Sequence, residues 1–182
     1  MYNLEEKMIS RKDVFKGDVL NVHIDVVSLP NGKTSTREVI NHPGAACIVP
    51  LTKEEDVLFV RQYRYPFSKV MLELPAGKLE PGQEPLDNAI RELKEETGAV
   101  AENYIHLGSI CVSPGYCDET IHIYCCKISD IGAQKLDEDE FLNIEKISLN
   151  KAFKMVMYNE IDDAKTQIAI LKTYYMKQCG SL

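Results

Sequence analysis

The chain has 182 residues, 45% of them hydrophobic, enough for one domain of ordinary size with a real core. Its formal charge of -7 speaks against nonspecific nucleic-acid binding, which needs a basic surface, and means that any phosphate substrate must be neutralised locally. No apolar run approaches the roughly 20 residues of a membrane span, and residues 1–15 lack the apolar core of a signal peptide. The chain therefore reads as soluble and cytoplasmic, with no membrane partner.

Residues 1–44 look separate from the rest. Residues 14–30 are rich in β-branched side chains, and Val22, Ile24 and Val26 alternate with Asn21, His23 and Asp25. Asn31-Gly32 then marks a tight turn, and residues 33–40 read as the return strand of a hairpin. A lone hairpin is marginal in water, so this one must pack on the protein's own core or on a second subunit. Strands follow at 45–51 and 56–65, the second ending in the cluster Arg61, Tyr63 and Arg64. These arginines read either as a surface patch or as a site for phosphate or an adenine ring.

Residues 70–74 form a strand that enters the stretch ELPAGKLEPGQEPLDNAIRELKEETGA, residues 73–99. Pro85 suits a first helical turn and Gly98 a left-handed cap. Between them Leu86, Ala89, Ile90 and Leu93 make one buried stripe. Glu92, Glu95 and Glu96 share a flanking face and repel one another. That face is either a solvated acidic surface paired with Arg91 and Lys94, or a site for a hard divalent cation with oxygen ligands.

Strands at 104–112 and 120–128 flank a Pro-Gly turn with Pro114, Asp118 and Glu119. An acidic loop with Glu138 and Glu140 precedes a strand at 142–147, and helices from 149 to about 158 and from 163 to about 177 close the chain. The six cysteines include no C-x-x-C pair and read as free thiols, with a zinc site around Cys125, Cys126 and His122 as the competing reading.

Gly77 followed by Arg91-Glu92-Leu93-Lys94-Glu95-Glu96-Thr97-Gly98-Ala99 resembles the Nudix box, Gly-x5-Glu-x7-Arg-Glu-U-x-Glu-Glu-x-Gly-U, over 23 residues. Two positions depart from it: Gln83 stands at the first Glu, and Ala99 at the last bulky aliphatic. Pro114 about 15 residues past the box, the RQYRYP run and the phrase IDDAKT at residues 161–166 are similar to the subgroup that cleaves ADP-ribose.

The resemblance implies an α/β/α sandwich with a mixed sheet over 45–182, and an antiparallel β-appendage over 1–44 that pairs two subunits into a homodimer. It implies Mg2+, with Mn2+ as a possible substitute, held by the Ala76 carbonyl, Glu92, Glu95, Glu96 and Glu140. It places Arg37, Glu38, Arg61, Arg64, Pro114 and Glu119 at the substrate. Glu138, Glu140 and Glu95 are the candidate catalytic residues, with Glu138 as the base, and Gln83 supports Arg91. The implied reaction is hydrolysis of ADP-ribose to AMP and ribose 5-phosphate. The alternatives are NADH, a nucleotide sugar or a diadenosine polyphosphate as substrate, or a Nudix-fold ligand sensor without turnover.

Overall fold

The computed structural model describes residues 3–182. Its chain divides into two compact units. One comprises the chain up to Gly44 together with Cys111–Thr120; the other comprises Ala45–Ile110 and Ile121–Leu182.

The first unit is a three-stranded antiparallel sheet in the order β1 (Lys7–Lys16), β2 (Asn21–Ser28), β3 (Thr34–Asn41). The hairpin at Asn31-Gly32 is present, with Gly32 at φ 80°. An additional strand, β1, precedes it. Every residue of β1 is exposed, so no hydrophobic alternation marks it. The fully buried residues of β2 are His23, Asp25 and Val27 rather than the aliphatic set Val22, Ile24 and Val26. Asp25 is buried because Arg11, its cross-strand neighbour, grips both carboxylate oxygens at 2.8 Å. The Pro-Gly segment joins this unit through Ile40, which donates its amide to the Tyr116 carbonyl at 2.7 Å. Asp118 accepts from the His42 amide and the Asn41 side chain.

The second unit is built on a mixed sheet ordered β10 (Leu142–Ser148), β5 (Asp56–Arg64), β4 (Ala45–Leu51), β9 (Thr120–Ile131), β8 (Ala99–Cys111). Two short strands complete it: β6 (Lys69–Glu73) pairs with β5, and β7 (Ala76–Lys78) with β4. β4 runs parallel to β9 and is buried on both faces, as a strand sandwiched between helices must be. Its side chains alternate: Ala46 and Ile48 join Tyr124, Cys126, Ala89 and Leu93 on the side of α1 (Pro85–Thr97). Cys47, Val49 and Leu51 join Ile123, Val156 and Ile170 on the side of α2 (Leu149–Met157) and α3 (Ala164–Gln178). The architecture is the expected α/β/α sandwich.

Cys47, Cys125 and Cys126 are buried in these two cores as free thiols. Among the described residues no helix is long and apolar enough to cross a membrane.

Helix α1 runs from Pro85 to Thr97 and is capped by Gly98, whose φ is 69°. Its last carbonyls are capped from outside: Lys135 donates its amide to Glu95 O at 2.9 Å, and Gln134 Nε2 donates to Glu96 O at 2.5 Å. A Cβ on Gly98 would lie 2.3 Å from the Gly132 carbonyl oxygen and 2.8 Å from its carbon. Left-handed strain and a backbone clash therefore act together, and Gly98→Ala is expected to cost at least about 2 kcal/mol. Urea unfolding should show this as a lower midpoint with an unchanged slope.

Candidate active site

The site forms where the loop between β6 and α1 meets the helix. Gly77 lies directly beneath Glu92: a Cβ there would sit 1.8 Å from Glu92 Oε1. The Gly77 carbonyl accepts from Asn88 Nδ2 at 2.9 Å, and the Ala76 amide donates to Glu96 Oε2 at 3.2 Å. Asn88, fully buried, also accepts from Arg91 Nη2 at 2.7 Å. Arg91 spans Glu92 and Glu95, each at 2.6 Å. Gln83 does not take part in this support, contrary to the sequence expectation. Its side chain accepts from the Glu80 amide at 3.4 Å, within its own loop, and Asn88 does the work at Arg91 instead.

Above the loop opens a cleft of about 480 Å³ lined by Gln62, Arg64, Ala76 to Lys78, Glu80, Arg91, Glu92, Glu95, Asp137, Asp139 and Glu140. Six of these are acids (Glu80, Glu92, Glu95, Asp137, Asp139, Glu140) and three are bases (Arg64, Lys78, Arg91). The carboxylates disfavour one another's charge. Burial first, then Glu140 and Glu92, push Glu96 up to about 9. Burial raises Glu92, against the pull of Arg91, and burial with Asp137 raises Glu140.

Among the described residues no three His, Cys, Asp or Glu side chains are jointly placed to hold a metal ion. Arg91 draws Glu92 and Glu95 to itself, so the expected ligand set is not assembled in this conformation. The donor chemistry nevertheless suits a hard cation: all-oxygen groups, with Glu96 buried and Glu92 part-buried, at a cleft with excess negative charge.

Arg61 is absent from the cleft, a correction to the reading that clustered it with Arg64. Side chains alternate along a strand, and positions three apart point to opposite faces. Arg61 is half-exposed and pairs with Glu145 of β10, while Gln62 and Arg64 face the carboxylates. Glu140 enters the cleft, whereas Glu138 is exposed and does not line it.

Arg37, Glu38, Pro114 and Glu119 belong to the first unit. Arg37 is held by Glu6 at 2.5 and 2.9 Å, and with Pro114, Cys117 and Asp118 it lines a cleft of about 420 Å³. Glu38 is exposed, and Glu119 lies 3.6 Å from His42. Sequence reasoning passed over Gln62, Asn88 and Asp137. Only Asn88 gave a local signal, a polar residue beside the buried stripe of a helix.

A carboxylate-bearing helix seated over a glycine loop, on a sheet sandwiched by helices, is the Nudix arrangement. The Nudix domain profile matches residues 41–168, and the chain belongs to the Nudix family of hydrolases. Within that family it is similar to the ADP-ribose pyrophosphatases. It is 41% identical to the ADP-ribose pyrophosphatase of Bacillus subtilis (strain 168) over 172 residues, 93% of each chain. It is 44% identical to the methanol dehydrogenase activator of Bacillus methanolicus over 168 residues, 91% of each. A solved structure described as an ADP compounds hydrolase shares its fold, with a TM-score of 0.84 over 99% of both chains at 20% identity.

Proposed function

We propose that the protein hydrolyses the pyrophosphate bond of ADP-ribose, giving AMP and ribose 5-phosphate, in a reaction that requires Mg2+ and accepts Mn2+ as a substitute. The observation that carries this reading is the acidic cleft lined by Glu92, Glu95 and Glu140, beside which Glu96 is pushed up to about 9 by burial first and then by Glu140 and Glu92. Such a site gains most from a bound cation, and the pyrophosphatase relatives supply the substrate class.

Glu92, Glu96 and Glu140, with the Ala76 carbonyl and Glu95, would hold the metal. When bound, it offsets the charge of the pyrophosphate and makes its phosphorus accessible to an anionic nucleophile. Arg64 offers N–H donors to the phosphate oxygens from the cleft wall. Arg91 bridges Glu92 and Glu95 and offsets part of their mutual repulsion. Glu138, on the acidic loop, takes the proton of the attacking water as the loop closes.

Glu138→Gln is then expected to lower kcat with little change in the Mg2+ requirement, because only the transition state loses an interaction. Glu140→Gln should instead raise the Mg2+ concentration needed for half-maximal rate. Rates measured across a Mg2+ titration separate the two, and reversed phenotypes would exchange the roles.

The overall reading is tested by phosphatase-coupled phosphate release over a panel of nucleoside diphosphate derivatives, each with Mg2+ and with chelator. Release should be greatest with ADP-ribose and should vanish with chelator. A larger signal with NADH, a nucleotide sugar or a diadenosine polyphosphate replaces the substrate, and no turnover on any of them leaves a ligand sensor. The 44% identity to a methanol dehydrogenase activator favours a second reading, enhancement of a partner dehydrogenase. Adding the protein and its Glu96→Gln variant to purified methanol dehydrogenase tests it.

The β-region joins two copies in this proposal. Met8, Ile9, Val14 and Phe15 of β1 are large, apolar and exposed, which supports burial against a partner. Light scattering at micromolar concentration should give the mass of a dimer; a monomer mass overturns it.

A further inference from the structure

Behind Arg64 of the cleft wall lies a string of alternating charges whose other members, Glu73, Lys165 and Asp163, have no part in the proposed reaction. Glu73, the last residue of β6, has a side chain only 3% exposed. It accepts from Arg64 Nε at 2.7 Å and from Arg64 Nη2 at 2.9 Å, a side-on bidentate pair. Its second oxygen also accepts from Lys165 Nζ, and Lys165 reaches Asp163 at 3.0 Å. The four charges cancel. Burial would raise the Glu73 carboxyl, but the Arg64 hydrogen bonds and the Lys165 charge outweigh it and hold the group at about 2.

Stability need not account for this arrangement, since buried ion pairs are often matched or surpassed by apolar residues of the same volume. Geometry does. A guanidinium carries five N–H donors; Glu73 takes one from Nε and one from Nη2, so three remain. Arg64 lines the cleft that holds Ala76, Glu92 and Glu140, and its side chain is 40% exposed. With the Nε edge fixed behind, the free edge faces forward. The same helical turn braces the loop: Thr166 Oγ1 accepts the Leu74 amide at 2.9 Å, two residues before Ala76, and Asp163 caps α3 by accepting from the Thr166 amide at 3.0 Å.

From this geometry we infer that Glu73 and Lys165 are positioning residues: Lys165 anchors Glu73, and Glu73 fixes the Arg64 guanidinium so that its free edge meets the anionic phosphates of the substrate. The inference rests on the proposed pyrophosphate chemistry and adds to it the device that aims the phosphate-binding arginine. A phosphate clamp made equally in ground and transition state acts on KM and leaves kcat nearly unchanged.

The test is steady-state kinetics with ADP-ribose and Mg2+ on the full chain, with R64A, E73Q, K165M, K165R and the double variant E73Q/R64A. R64A should raise KM about 10- to 100-fold, the ratio expected on losing charge-assisted hydrogen bonds. E73Q should reproduce most of that rise. The double variant should be no worse than R64A alone, because Glu73 acts through Arg64. K165R should recover part of what K165M loses. A purely structural role would instead lower the folded fraction and kcat while sparing KM, and its effect would add to that of R64A; either result overturns the inference. Should a variant fold poorly, the Arg64 Nε–H signal by nitrogen-15 NMR decides. Sharp and slowly exchanging in wild type, it should collapse in E73Q, and its persistence overturns the inference. If wild type does not turn over ADP-ribose, the substrate reading fails and the same NMR comparison still decides the positioning role.

Discussion

Replacing Glu96 by Gln is expected to lower turnover at least about 100-fold, because charge stabilisation by a bound metal is worth several kcal/mol and this carboxylate sits deepest in the site. The same change should make the metal-free protein more stable at neutral and alkaline pH. Burial, with Glu140 and Glu92, lifts Glu96 from 4.5 to about 9 on folding. Between those values the folded chain holds a proton that the unfolded chain has released. Rising pH therefore favours unfolding, from about 4.5 until the folded group titrates near 9. The slope is roughly 1 kcal/mol per pH unit. Glu92 and Glu140, also raised, act in the same direction. Glu73 has the opposite sign, but its contribution is lost only as pH falls from 4.5 towards about 2, outside this window. A glutamine side chain at position 96 has no proton to release. Urea unfolding in chelator at pH 6 and pH 9 should thus show a marked loss of stability for wild type and a smaller one for E96Q, and Mg2+ should stabilise wild type the more. Near-normal turnover in E96Q, or an unchanged pH slope, rules out the role given to Glu96.

How much of this was legible before folding depends on where each signal lives. Helix α1 was readable because its stripe, its proline and its capping glycine are all local, and the structure places them at Pro85 and Gly98. β1 was not, because a strand exposed on both faces needs no periodic pattern. The split between Arg61 and Arg64 follows from strand parity, which the sequence contained and the clustering overlooked. Asn88 in place of Gln83 was available from helical spacing: Asn88 and Arg91 lie three apart on α1 and so are neighbours, whereas Gln83 sits in the loop before the helix and bonds within it. The Glu73–Lys165 contact spans 92 residues, so it exists only once β6 and α3 are packed in one fold. Likewise, Cys111–Thr120 joins the first unit through pairings of Ile40, Asn41 and His42 far away in sequence.

Gly77→Ala is expected to lower turnover about 100-fold or more while leaving the fold largely intact, a separation that tests whether Glu92 must lie over the loop. A methyl group at Gly77 would meet Glu92 Oε1 at 1.8 Å, Cδ at 2.0 Å and Cγ at 2.5 Å. These are atoms of a single flexible side chain, not of the backbone, so the clash is relieved by swinging the carboxylate away rather than by moving β7. The displacement does not stop there. Arg91 Nη2 donates to both Glu92 and Asn88, and Asn88 holds the Gly77 carbonyl, so moving Glu92 loosens the grip on the helix side of the cleft. Gly77 and Glu92 line the open cleft, where the displaced carboxylate can move into solvent, so the melting temperature should move by only a few degrees. The discriminating measurement is the double variant. If the methyl acts by evicting Glu92, then Gly77→Ala should cost little more in a Glu92→Ala background, because the clashing atoms are already gone and the two effects are not independent. Full additivity would mean that the glycine serves something other than the approach of this carboxylate, and the site as built here would lose its floor.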